Sequence, residues 1–90
     1  MPKGFYLATF ESTHNALSFY RKATEQGLNA AIMPVPRQLN NSCGLAIRFE
    51  LENLKEFTDI AKSNVSLVES FYFVERMGNE RLIKRHDIEY

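Results

Sequence analysis

The chain has 90 residues, and its eleven basic side chains balance eleven acidic ones, so the formal net charge is zero. With 44% hydrophobic and 24% charged residues, it has the make-up of one soluble globular domain with a modest core. A neutral chain has no whole-molecule field to draw it to nucleic acid or an anionic membrane. A single cysteine excludes an internal disulfide, and no apolar run approaches the roughly 20 residues of a membrane helix. The opening Met1 to Tyr6 lacks a signal peptide's apolar run. Together these features predict the cytoplasm, where a free thiol persists.

The elements follow in order. Phe5 to Phe10 is an aromatic and aliphatic run without a breaker, and reads as a strand buried on both faces. Ser12 and Thr13 are both N-cap residues. Ala16, Leu17, Tyr20, Ala23 and Thr24 then recur at helical spacing up to Gly27, which predicts a helix over about Thr13 to Gln26. Asn29 to Met33 reads as a second strand, ended by Pro34 and Pro36. A polar loop, Val35 to Ser42, leads to a third strand, Gly44 to Phe49. Leu54, Phe57, Ile60 and Ala61 mark a second helix, with Asn53 and Glu56 spaced as a capping box and Leu51 as an earlier alternative start. Leu67 to Glu75 is a fourth strand. Met77 to Glu80 then either turns the chain into a hairpin partner, Arg81 to Arg85, or leads into a frayed terminus.

The order β-α-β-β-α-β predicts an α+β, ferredoxin-like fold. Right-handed crossovers would place two helices on one face of a four-stranded antiparallel sheet of order 4-1-3-2. Residues 1–76 would form this domain, and 77–90 a tail or a short hairpin extension. The topology brings the Val35–Ser42 loop to the end of the sheet where the first strand enters the first helix. Cys43 should therefore lie beside Glu11, Ser12, Thr13 and His14.

That corner has the parts of a thiolate site. A helix N-terminus presents unpaired N–H groups and a partial positive charge. Such a setting, like a nearby imidazolium, favours a thiolate. Cys43 is the candidate reactive residue. Ser12, Thr13, His14, Arg37, Ser42 and Gly44 are the candidate binding residues around it. Gly44, with no Cβ, would let another group approach, and Arg37 supplies a permanent cation. Each also has a plainer reading: Cys43 as a packed small hydrophobe, Ser12 and Thr13 as caps, His14 and Arg37 as solvated surface residues. His14 and His86 with one cysteine make no zinc pattern, so no metal or cofactor is expected. The third strand offers one aromatic, Phe49, where an RNA-recognition module needs several. Arg48 has no role beyond reaching a sheet face or a carboxylate.

Ser12-Thr13-x-x-Ala16-Leu17, Pro34-x-Pro36-Arg37 and Ser42-Cys43-Gly44 occur in the order and spacing of a small bacterial family. From about Phe5 to Phe73 the chain resembles the domain described as putative Se/S carrier protein-like. The resemblance implies a cysteine that carries sulfur or selenium as a persulfide or perselenide, and that role falls on Cys43. It implies a donor, a cysteine desulfurase or a selenium-metabolism protein, and an acceptor, rather than turnover of a small molecule by the chain itself. His14 lies outside the motifs that carry the resemblance. Asn40 and Asn41 stand where smaller residues would be expected. The rival reading is a non-catalytic ligand-binding or regulatory module that works as a homodimer through its sheet or an edge strand, or through another protein.

Overall fold

The computed structural model describes residues 4–41 and 43–88. The elements are β1 (Gly4–Thr9), α1 (Thr13–Glu25), β2 (Ala31–Pro34), β3 (Leu45–Phe49), α2 (Leu54–Ser63), β4 (Ser70–Met77) and β5 (Glu80–His86), with a single 3₁₀ turn, Leu51–Asn53, before α2. They form an α+β structure whose one sheet has the order β2-β3-β1-β4-β5. Every pairing in it is antiparallel. No helix among the described residues is long and apolar enough to cross a membrane.

The sheet has five strands where four were expected. The tail forms the hairpin and not the frayed end: Met77 pairs with Glu80 and Phe71 with His86 along the whole of β5. The two-residue turn is made by Gly78, at φ 61°, followed by Asn79. A positive φ at the first turn position, which glycine alone adopts without strain, matches the right-handed twist of the flanking strands.

Alternation along the strands sorts the core into two layers. Tyr6, Ala8, Ile47, Phe49 and Phe71 share the face that both helices cover, packing with Ala16, Phe19 and Ala23 of α1 and Phe57, Ile60 and Ala61 of α2. Phe49 stacks on Phe57 at 4.1 Å between ring centroids and meets Phe71 edge-on at 5.3 Å. Phe5, Leu7, Ala46 and Val74 form a second cluster on the other face, with Met33, Val35, Tyr72 and Ile83 packed against it.

Two local expectations need correction. The buried stripe of α1 runs through Ala16, Phe19 and Ala23, while Leu17 is 45% exposed and Thr24 lies in solvent. Phe19 holds the phase because its ring fills the space between Phe10, Phe57 and Phe71, while Leu17, two positions earlier, lies about 200° round the helix. The capping box at Asn53 does not form. The chain has already wound its 3₁₀ turn there, so the Asn53 N–H donates to the Glu50 carbonyl at 3.0 Å, and the Asn53 side chain only reaches Glu56 Oε2 at 3.5 Å. At the other end of α1 the expected cap holds: the N–H groups of Gly27 and Leu28 donate to the carbonyls of Thr24 and Ala23, a Schellman pattern.

Phe49 joins both helices to the sheet, so Phe49→Ala should lower the unfolding free energy by about 3–5 kcal/mol in urea titrations. A loss under about 1 kcal/mol would mean that this ring is not central to the core.

Candidate functional site

The corner begins where β1 ends. Phe10 is fully buried against Phe19, and only Glu11 and Ser12 separate it from the first turn of α1. Ser12 is the N-cap: its backbone is extended, and its Oγ accepts the Asn15 N–H at 3.1 Å. That hydroxyl is thus committed to holding the helix end. Thr13, the first helical residue, is exposed, and its hydroxyl is the group that meets the cysteine: Thr13 Oγ1 lies 3.9 Å from Cys43 Sγ. A sulfur–hydroxyl contact of this length is weak, and either atom can donate.

Cys43 is half-buried. It packs against the helix-covered core while staying in reach of Thr13. Packing and accessibility are therefore both true of this residue.

The residue that holds Cys43 in place is Asn41. Its Oδ1 accepts the Cys43 N–H at 2.8 Å and lies 3.4 Å from the Gly44 N–H, which makes an Asx turn. Its Nδ2 donates to the Phe10 carbonyl at 3.1 Å and to Glu69 Oε1 at 2.7 Å. Glu69 Oε1 also accepts from the Thr9 hydroxyl at 3.0 Å, and the Glu69 N–H donates to the Thr9 carbonyl at 2.8 Å. One amide side chain thus ties the cysteine turn to the end of β1 and to the start of β4. The Asn-x-Cys-Gly spacing is itself an Asx-turn signature. Glu69 carried no local signal, because its partners lie 28 and 60 residues away.

The other predicted residues fall as follows. Gly44 has φ 81°, and a Cβ there would meet nothing within 4 Å. Glycine suits the left-handed backbone of the turn, which L side chains rarely adopt. The Gly44 carbonyl accepts the Val35 N–H at 3.1 Å, closing the loop's two ends. Arg37 and His14 are both exposed, and among the described residues no hydrogen bond or ion pair joins either to Cys43. Arg37 sits on a turn closed by the Leu39 N–H on the Pro36 carbonyl. Ser42 lies outside the described residues. Among the described residues no three His, Cys, Asp or Glu side chains come together as a metal site.

A family model described as "Putative Se/S carrier protein-like" matches residues 5–72. No curated protein and no solved structure matches the chain.

Asn41→Ala removes four hydrogen bonds around one turn. It should lower stability by about 1 kcal/mol, most of these bonds being near solvent, and should speed hydrogen exchange at the Cys43 amide. Unchanged exchange at that amide would show that Asn41 does not hold the turn.

Proposed function

The chain belongs to the Se/S carrier protein-like family, and we propose on that footing that it carries sulfur or selenium on Cys43. The observation that supports this most is the 3.9 Å approach of Thr13 Oγ1 to the half-buried Cys43 Sγ at the start of α1. There the helix dipole favours negative charge.

In this reading the thiolate of Cys43 attacks the terminal sulfur of a persulfide, or the terminal selenium of a perselenide, on the donor protein. The donor's S–S or S–Se bond breaks, the donor thiolate leaves, and Cys43 holds the sulfur as a persulfide or the selenium as a perselenide. An acceptor nucleophile then attacks that outer atom and Cys43 leaves as thiolate. Both steps are exchanges in which no external oxidant is consumed. Thr13 hydrogen-bonds the sulfur in its anionic form, Ser12 keeps the helix start in register, and Asn41 fixes the turn that aims the side chain. Gly44 gives that turn its left-handed backbone, and Ser42 stays a candidate binding residue beside the thiol. Arg37 and His14, both exposed on the flanking segments, are the groups available to an anionic adduct or partner.

The donor is a cysteine desulfurase or a selenium-metabolism protein, and the compartment is the cytoplasm. The chain acts as a carrier rather than as an enzyme with its own turnover. We read residues 1–76 as a ferredoxin-like unit, with 77–90 as its hairpin extension.

Incubation with an active cysteine desulfurase and cysteine should add the mass of one sulfur, removable by dithiothreitol, to the intact protein. Cys43→Ser should gain none, and Thr13→Val should load more slowly. An unmodified wild type, with the desulfurase shown to be active, would exclude the carrier reading.

A further inference from the structure

The face of the sheet that no helix covers has an unbalanced charge. The register places Ala31 and Met33 of β2, Ala46 and Arg48 of β3, Phe5, Leu7 and Thr9 of β1, Ser70, Tyr72, Val74 and Arg76 of β4, and Arg81, Ile83 and Arg85 of β5 on this one surface. Four of these residues are arginines and none is acidic, in a chain of zero net charge. Two acidic side chains border this set: Glu50, just past β3, whose Oε1 lies 3.5 Å from Arg48 Nη2 with both side chains about half exposed, and Glu69, just before β4, whose Oε1 accepts from the Thr9 hydroxyl at 3.0 Å. Arg76, Arg81 and Arg85 are exposed, with no ion-pair partner among the described residues.

Two features make this more than a solvated surface. Arg76 and Arg81 stand directly opposite each other across β4 and β5. Like charges in that position destabilise a sheet, so folding alone does not account for them. Arg48 lies over the Phe5 ring at 4.0 Å from its centroid, and Gly4, Phe5, Arg48 and Arg76 line a cavity of about 400 Å³. Between the cations, Met33, Val35, Tyr72 and Ile83 stay partly exposed over the buried Phe5, Leu7, Ala46 and Val74. Arginine around a partly exposed apolar centre is the composition of a protein interface.

We propose that this face docks an acidic, partly apolar segment of a protein partner. The arginines run from β3 to β5, three strand spacings or about 14 Å, which a polypeptide spans and one small anion does not. The planar guanidinium fork grips carboxylates two oxygens at a time. A second copy of the chain is disfavoured, since it would bring four cations against four. Single-stranded RNA is disfavoured because this face offers one partly exposed ring, Tyr72, where a base-stacking platform uses several: Phe5 is 7% exposed and already capped by Arg48, and Leu7 and Ala46 are fully buried. The inference stands apart from the sulfur-carrier reading. Cys43 packs on the helix side of the sheet, so a partner held here leaves the thiol uncovered.

The test is fluorescence anisotropy of a fluorescein-labelled peptide of Glu-Glu-Leu repeats, long enough to cross the four strands, titrated with the whole protein. Binding should weaken as salt rises, persist in Cys43→Ser, and fall by about tenfold in the double variant Arg76→Glu with Arg81→Glu. The size-conserving pair Arg76→Gln with Arg81→Gln, with circular dichroism and melting matched to the wild type, should also lose affinity. Absence of binding by the wild type would overturn the proposal. So would equal binding by both double variants, or tighter binding of an oligouridine than of the peptide.

Discussion

The pairing of β1 with β3, Thr9 opposite Ala46, sets the position of every group at the corner. β1 runs into α1 with three residues between, and β3 starts two residues after Cys43, so this one register decides which part of the helix the cysteine meets. A slip by one residue would turn Ile47 and Phe49 out of the aromatic layer and carry Cys43 away from Thr13. The register is held by rings: Phe49 cannot leave Phe57 and Phe71 without opening the core. The energy that folds the protein is therefore the same energy that aims the thiol.

The sheet's two faces solve burial differently. On one, two amphipathic helices exclude water with Phe19 and Phe57. On the other, no helix is available, and the central apolar residues are closed off by neighbouring side chains, Arg48 over Phe5 among them. Long cationic side chains do this well because their stems are apolar and their heads stay wet. The result is a neutral protein with a polarised surface: the Cys43 corner at one edge of the helix layer, and four arginines across the opposite face.

Much of this was readable from the chain because its signals are local. Apolar runs and helical periodicity marked the elements, Ser12 marked the start of α1, and Met77 to Glu80 left a hairpin and a frayed end both open. The nearness of Cys43 to Thr13 followed from strand order alone. The misses share a physical cause, which is competition decided by tertiary contacts. Leu17 and Phe19 both suit a helix face, and only the cavity between Phe10 and Phe57 selects Phe19. Asn53 suits a cap, but the chain had already turned at Leu51. Asn41 seemed too large for a tight loop. It proves to be the residue that makes the loop, through Phe10 and Glu69, partners 31 and 28 residues away.

The central claim is that the Cys43 sulfur is presented at the corner and not sealed beneath the helices. Titration of the native, undenatured protein with Ellman's reagent tests this most directly. The account predicts prompt release of one equivalent of thionitrobenzoate, lost in Cys43→Ser. A thiol that reacts only after urea has unfolded the chain would contradict it.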